Sequence, residues 1–105
     1  MAETMPPLTV KQLDDSLNNP HFRSYIFIGE ENDTGWKMAI TAQKTVPALR
    51  VYCIGKVREE DVRRKYNVPE PYVGIIFGWD SDIKKMLTKE ETEDFLTIIE
   101  SITEG

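Results

Sequence analysis

The stretch of sequence that decides the fold is Tyr25-Ile26-Phe27-Ile28-Gly29-Glu30-Glu31-Asn32-Asp33-Thr34-Gly35-Trp36-Lys37-Met38. Its first four residues are all apolar, without polar alternation, which is typical of a strand buried on both faces of a sheet. Asp33 is a residue type that favours a helix N-cap. Apolar residues then recur at every fourth position, as on one face of a helix, at Met38, Ala42 and Val46. The stretch therefore predicts a strand, a loop and a helix that packs on the sheet.

The flanking sequence predicts the other elements of an α/β domain. Capping boxes predict two helix starts, at Thr9 with Gln12 and at Thr88 with Glu91. Asn67 is a plausible left-handed terminator of a charged helix. The predicted order is a helix from 9, the strand 25–28, a helix from 34 that Pro47 ends, the strand 49–54, the helix 57–66, the strands 73–77 and 83–87, and a helix from 88 to the polar residues after 102.

Length and composition predict one ordinary domain. The chain has 105 residues, of which 40% are hydrophobic and 30% charged, values typical of a globular domain. Residues 1–7, which contain Pro6 and Pro7, are expected to be disordered, and residues 8–105 to form the domain. Residues 1–7 also lack the apolar core of a signal peptide. The chain is expected to be soluble, and its compartment is left open between the cytoplasm, as the sequence is given, and the endoplasmic reticulum lumen, if it is excised from a longer secretory protein.

Charge and composition argue against several classes of partner. The net charge of −5 disfavours nucleic acid, whose phosphates are bound by basic patches. We interpret the basic run Arg63-Arg64-Lys65 as a solvated helix face, since acidic residues precede it at helical spacing. No apolar run approaches the ~20 residues of a membrane span, so no membrane partner is predicted.

The potential ligands and nucleophiles are few. One cysteine, Cys53, and one histidine, His21, cannot form a structural zinc site. We interpret Cys53 as a small buried apolar residue, because no basic neighbour in sequence would lower its pKa. Asp80 and Asp82 are interpreted as turn residues, since two carboxylates fall short of the ligands that calcium prefers. No metal and no cofactor are predicted.

The order of elements resembles the thioredoxin-like fold over about residues 8 to 103. That resemblance implies a three-layer α/β/α sandwich with a four- to five-stranded mixed sheet, a βαβ unit, and a C-terminal β-hairpin followed by a helix. In thioredoxin-type domains the redox pair Cys-Gly-Pro-Cys, usually followed by Lys-Met, stands where this chain has Asp33-Thr34-Gly35-Trp36-Lys37-Met38. The lysine and methionine are present and both cysteines are replaced, by Asp33 and Trp36.

A second part of the resemblance lies before the third predicted strand. Pro71-Tyr72-Val73-Gly74-Ile75-Ile76-Phe77 is similar to the segment that begins with the cis-proline of thioredoxin-like domains. The segment is one residue longer than usual. Either the strand contains a bulge, or Pro69 rather than Pro71 corresponds to that proline.

The resemblance implies a domain that is not an oxidoreductase, since neither Asp33 nor Trp36 can exchange a disulfide. It is similar to the non-catalytic domains of protein disulfide isomerase family proteins, which bind proteins or unfolded polypeptides as chaperone modules. By that resemblance, a binding groove would be lined by Gly35, Trp36, Pro71 and Tyr72. Alternatively, Trp36 fills the space left by the cysteines, and the domain is a structural scaffold or a subunit of a complex with no free ligand.

Overall fold

The computed structural model describes residues 22–78 and 82–103. The predicted N-terminal helix, His21, and the turn residues Trp79 and Asp80 lie outside these ranges. The described elements, in chain order, are β1 (Arg23–Ile28), α1 (Thr34–Thr45), β2 (Leu49–Ile54), α2 (Lys56–Tyr66), β3 (Tyr72–Phe77), β4 (Ile83–Thr88), α3 (Lys89–Thr92) and α4 (Phe95–Thr103).

The strands form one mixed sheet in the order β2-β1-β3-β4. β1 and β2 are parallel, and α1 connects them, as a parallel pair requires. β3 runs antiparallel to β1 and to β4, with which it forms a hairpin. The α/β class, the mixed sheet, the strand–helix–strand unit and the hairpin followed by helix are therefore confirmed.

Each face of the sheet carries its own hydrophobic core, and β1 supplies both. Its residues Tyr25 to Ile28 are buried, as the continuous apolar run predicted, and so are Arg23 and Ser24 before them, which the run did not predict. The α1/α4 face is defined by the buried residues Tyr25, Phe27, Ala39, Ala42, Val46, Leu49, Ile76, Leu87, Phe95 and Ile99. The α2 face is defined by Ile26, Ile28, Ile54, Val62, Val68, Ile75 and Phe77.

The prediction of a single C-terminal helix from residue 88 is wrong, because the structure has two helices there. The capping box of Thr88 and Glu91 starts α3 as expected, with Thr88 N–H donating to Glu91 Oε1 at 2.9 Å. After one turn, the N–H groups of Glu93 and Asp94 bond three residues back instead of four. Such tight bonds end the helix, and α4 begins again at Phe95.

The pairing of β3 with β4 contains a bulge, which is one of the two explanations that the length of the segment after Pro71 left open. Tyr72 lies opposite Thr88 and Gly74 opposite Leu87, so β3 takes two steps where β4 takes one. A bulge of this kind leaves the extra residue, Val73, unpaired. The bulge thus lies within the segment that the sequence indicated to be one residue longer than usual, and Pro71 directly precedes the strand.

The basic run at the end of α2 is only partly a solvated face. Arg64 pairs with Glu60 in solvent, with 72% of its side chain exposed. The Arg63 side chain is only 15% exposed, and its Nη1 donates to the carbonyl oxygens of Pro69 at 2.8 Å and Tyr72 at 2.9 Å. The expectation is corrected for Arg63, because left-handed Asn67 (φ 57°) turns the chain back over it.

Candidate functional site

Asp33 stands at the end of the β1–α1 loop, at the N-cap position that the sequence predicted. Its carbonyl oxygen accepts the first helical bonds, from Trp36 N–H at 3.1 Å and Lys37 N–H at 3.2 Å. Its carboxylate does not cap the helix and instead accepts a hydrogen bond from Glu30 N–H at 3.1 Å. The Asp33 side chain therefore stabilises the β1–α1 loop. At the N-terminus of α1, no side chain of the described residues caps the remaining free N–H groups.

Gly35 lies inside the molecule, in the first turn of α1. A Cβ atom here would lie 2.8 Å from Cε1 of Phe27 and would overlap Oγ1 of Thr92. The missing side chain thus lets α1 approach β1 and α3 closely. Gly35 could contribute to a binding surface only through its backbone.

Trp36 is half-buried and packs on the α1/α4 face. Its ring centroid lies 6.1 Å from that of Phe27, at an interplanar angle of 31°, a favourable arrangement for two aromatic rings. The ring thus covers Phe27 and leaves part of its own surface at the start of α1. Both uses left open by the sequence, packing and binding, are compatible with this position.

Tyr72 packs on the other side of the sheet, and Pro71 precedes it at the start of β3. Pro71 is exposed, and the peptide bonds before Pro69 and Pro71 are trans. The Tyr72 side chain packs with the α2 face, whereas Trp36 packs with the opposite face. Gly35 and Trp36 therefore lie together on one face. A binding groove lined by these two residues and by Pro71 and Tyr72 would have to extend around the end of the sheet.

Cys53 lies beneath the β1–α1 loop, opposite Phe27 in the parallel register of β1 and β2. Its Sγ donates to the Gly29 carbonyl oxygen at 3.4 Å. The pKa of the thiol is raised to about 11, chiefly by burial and in addition by the nearby carboxylates of Glu31, Asp33 and Glu30. Sequence analysis missed this setting, because the acidic loop and Cys53 meet only once β1 and β2 are paired.

Cys53 is expected to react slowly with iodoacetamide at pH 8 in the folded protein, with a rate that rises toward a midpoint near pH 11. Only the thiolate is alkylated, so the native thiol should react roughly a hundredfold more slowly than the same thiol in the urea-unfolded chain. Mass spectrometry of the alkylated protein gives both rates. Equal rates at pH 8 would contradict the described burial and the effect of the loop carboxylates.

The same pKa has a consequence for stability. Because folding raises it above the ordinary 9.0, the native state holds the thiol proton more tightly than the unfolded chain does. The stability gained in this way is complete below about pH 9 and is lost as the pH rises toward 11. Over that window, Cys53→Ala should lose less stability than the natural chain, measured by urea unfolding.

Metal-ligand groups, membrane-spanning helices and relatives of the chain were also sought. Within residues 22–78 and 82–103, no three His, Cys, Asp or Glu side chains are grouped so that they could hold a metal ion. No helix in these ranges is long and apolar enough to cross a membrane. Comparisons with protein-family models, with curated proteins and with solved structures found no match for the chain.

Proposed function

We propose that this chain is a redox-inactive domain of the thioredoxin-like type that binds a protein or an unfolded polypeptide as a chaperone or adaptor module. Three features support the fold assignment. The strand order is β2-β1-β3-β4 with β1 parallel to β2; α1 begins at the carboxyl end of the central strand; and Pro71 directly precedes β3. The trans bond before Pro71 differs from the cis-proline of the thioredoxin-like type.

The proposed absence of disulfide exchange rests on the residues at the start of α1. Thiol exchange needs a thiolate, which the N–H groups at a helix N-terminus favour. Asp33 and Trp36 occupy that position here. The one thiol of the chain, Cys53, lies on β2 with a raised pKa, so at neutral pH it is protonated.

The observation that carries the binding proposal is an apolar surface on α1. Ile40 is 36% exposed, and it lies one helical turn after the half-buried Trp36. Residues four apart share one side of a helix, so the two side chains are neighbours on one side of α1, which we name the Trp36–Ile40 flank. Tryptophan is among the residues that most often anchor interfaces. A polypeptide segment with large apolar side chains fits this flank.

The test is a titration of ¹⁵N-labelled protein with an unfolded, apolar-rich polypeptide, followed through the indole N–H signals. The chain has two tryptophans, Trp36 and Trp79, so each signal can be assigned by a single substitution. We expect the Trp36 signal to shift saturably and the Trp79 signal to stay still. If neither signal moves at high polypeptide concentration, peptide binding at this flank is refuted.

A matched pair of variants makes the test specific. Ile40→Ser should weaken binding severalfold, because it removes an apolar contact at the flank. Ile83→Ser removes an isoleucine of nearly equal exposure, 37%, from β4 and should leave the affinity unchanged. An equal loss in both variants would indicate non-specific adsorption.

A structural scaffold is the second candidate, and the packing of Trp36 favours it. The ring lies over Phe27, and Gly35 is closed off by Thr92, an arrangement that stabilises the start of α1 without any ligand. In that case the flank would be covered in a stable complex instead of by transient peptides. Sedimentation of the purified protein with its co-purifying chains distinguishes the two, since a scaffold remains associated on dilution.

A further inference from the structure

The two outer strands of the sheet differ in how well they are protected against pairing with another chain. β4 carries Lys84 and Lys85, and its register with β3 shifts twice. Charges and irregularities of this kind discourage pairing. β2 is more regular, because its six residues pair with β1 without interruption and only Arg50 among them is charged. Within the described residues, no strand pairs with the outer edge of β2, so this edge is open to a further strand.

The Trp36–Ile40 flank of α1 faces this open edge. The buried residues of α1 include Gly35, Ala39 and Ala42, and Trp36 follows Gly35 by about 100° around the helix. A strand–helix–strand connection such as β1-α1-β2 is right-handed. In a right-handed connection, this rotation directs Trp36 and Ile40 toward the outer edge of β2 and away from β3. The flank and the edge therefore lie on the same side of the molecule.

The side chains in the middle of β2 are apolar and only partly covered. Val51 and Cys53 pack with the α1/α4 face and Tyr52 packs with the α2 face, yet none of the three is fully buried. In β1, by contrast, every residue is buried. A further strand beside β2 would gain backbone hydrogen bonds from the open edge and apolar contacts on both faces.

A second copy of the chain fits this side of the molecule, because α1 and β2 can share one two-fold axis. α1 has 12 residues and β2 has 6, so both elements are about 18 to 20 Å long. They run in opposite directions at the same height, and a two-fold axis perpendicular to the sheet would pair each with its copy. α1 packs on both β1 and β2, and strands lie about 4.8 Å apart. The two α1 axes would then be about 10 Å apart, which is the distance between packed helices.

The charges at the two ends of α1 are complementary under this two-fold axis. Glu30, Glu31 and Asp33 precede or begin α1, and Lys56 after β2 offsets one of these carboxylates. Lys44 lies in the last turn of α1. An antiparallel arrangement places the acidic loop of each copy beside the Lys44 end of the other copy. The net charge of −5 per copy opposes association, but repulsion beyond the Debye length of about 8 Å is screened.

We propose that two copies of this chain form an antiparallel dimer, in which the β2 strands pair edge to edge and the Trp36–Ile40 flanks pack against each other. The interface is isologous, since the same surface of both copies takes part. Ile40 of one copy lies beside Ile40 of the other at the two-fold axis. Because the dimer covers the flank, a polypeptide and a second copy compete for it.

The register of the paired β2 strands follows from Arg50. With Tyr52 opposite its own copy, Val51 lies opposite Cys53, and the two Arg50 residues are about 13 Å apart along the strands. A register centred on Val51 would bring the two guanidinium groups to about 7 Å. Like charges on paired strands are destabilising, so the pairing centred on Tyr52 is favoured.

The first experiment measures the mass of the full chain by analytical ultracentrifugation as its concentration is raised. We expect the mass to rise from 12.1 kDa to twice that value. Ile40→Lys places two like charges at the two-fold axis and should weaken the association roughly tenfold or more. Ile83→Lys is the matched control, since Ile83 is 37% exposed and Ile40 36%, and it should associate like the natural chain. A natural chain that stays at 12.1 kDa, or an Ile40→Lys variant that associates normally, would overturn the proposal.

The second experiment tests the register by cross-linking, in a Cys53→Ala background. Tyr52→Cys should form a disulfide between two copies in mild oxidant, because Cα atoms of directly opposite residues lie about 5 Å apart. Arg50→Cys should cross-link far more slowly, because its two copies are about 13 Å apart. Equal rates for the two variants would contradict the proposed pairing. Both experiments omit polypeptide, so their outcome does not depend on the proposed peptide binding.

Discussion

Placing cysteines at positions 33 and 36 is expected to give the chain a disulfide-exchange activity that we propose is absent from the natural sequence. Asp33→Cys and Trp36→Cys would put one thiol at the N-cap of α1 and one in its first turn. The free N–H groups there lower the pKa of a thiol. The double variant should form an internal disulfide and speed the reduction of insulin by dithiothreitol, roughly tenfold or more over the single variants. Turbidity of the insulin B chain measures this rate.

The acidic β1–α1 loop should reduce this disulfide-exchange activity, and its charge can be varied in a second experiment. Glu30 and Glu31 already raise the pKa of the Cys53 thiol, and they should act likewise on a thiol at position 33. Glu31→Gln added to the double variant should therefore lower the thiol pKa and increase the rate at neutral pH. The experiment is done in a Cys53→Ala background, which prevents pairing with the natural cysteine. Failure to form any disulfide in mild oxidant would show that positions 33 and 36 do not face each other as the proposal requires.

Gly35→Ala is expected to lower the free energy of unfolding by roughly 2 kcal/mol, because overpacking outweighs the gain of about 1 kcal/mol in helix propensity. The added methyl would meet the Phe27 ring at 2.8 Å and overlap the Thr92 hydroxyl, and all three groups are buried. The midpoint of urea unfolding, followed by tryptophan fluorescence, measures the loss. A stability equal to that of the natural chain would mean that α1 can move away from β1 freely.

Gly55→Ala is the matched control for this substitution. A Cβ atom on Gly55 would meet nothing within 4 Å, and its φ of −80° is one that alanine adopts readily. The expected change is below about 1 kcal/mol, the size of a weak N-cap effect. A similar loss in both variants would point to the backbone and not to the packing beneath α1.

The parts of the fold that follow from local sequence pattern were predictable. The apolar run of β1, the capping box at Thr88 and the left-handed Asn67 each depend on residues close in sequence, and the structure agrees with them. The break after Thr92 was missed because the burial of Thr92 against Gly35 of α1 depends on the tertiary fold. Thr92 is fully buried, and its hydroxyl donates to the Lys89 carbonyl oxygen at 2.5 Å. An apolar pattern that continues past residue 95 conceals such a break.

The N-cap position of Asp33 was predictable from the sequence, but the side-chain contacts around it were not. Asp33 reads as an N-cap from its residue type, yet its carboxylate bonds to Glu30 because the loop folds back on itself. The opposite placement of Trp36 and Tyr72 could not be derived from sequence, because the bulge at Val73 changes which face Tyr72 occupies. Arg23 gives no signal of burial, since a charged residue before an apolar run is ordinarily a solvated strand end.

The central place of β1 in the sheet has a consequence for the synthesis of the chain. Its neighbours are β2, which begins at Leu49, and β3, which begins at Tyr72. While only the residues through α2 have left the ribosome, β3 is still missing. One edge of β1, with its apolar run Tyr25–Ile28, is then unpaired and open to other chains. Such an unpaired apolar edge is prone to association with other chains. We therefore expect the nascent domain to need chaperones most when translation pauses before residue 77.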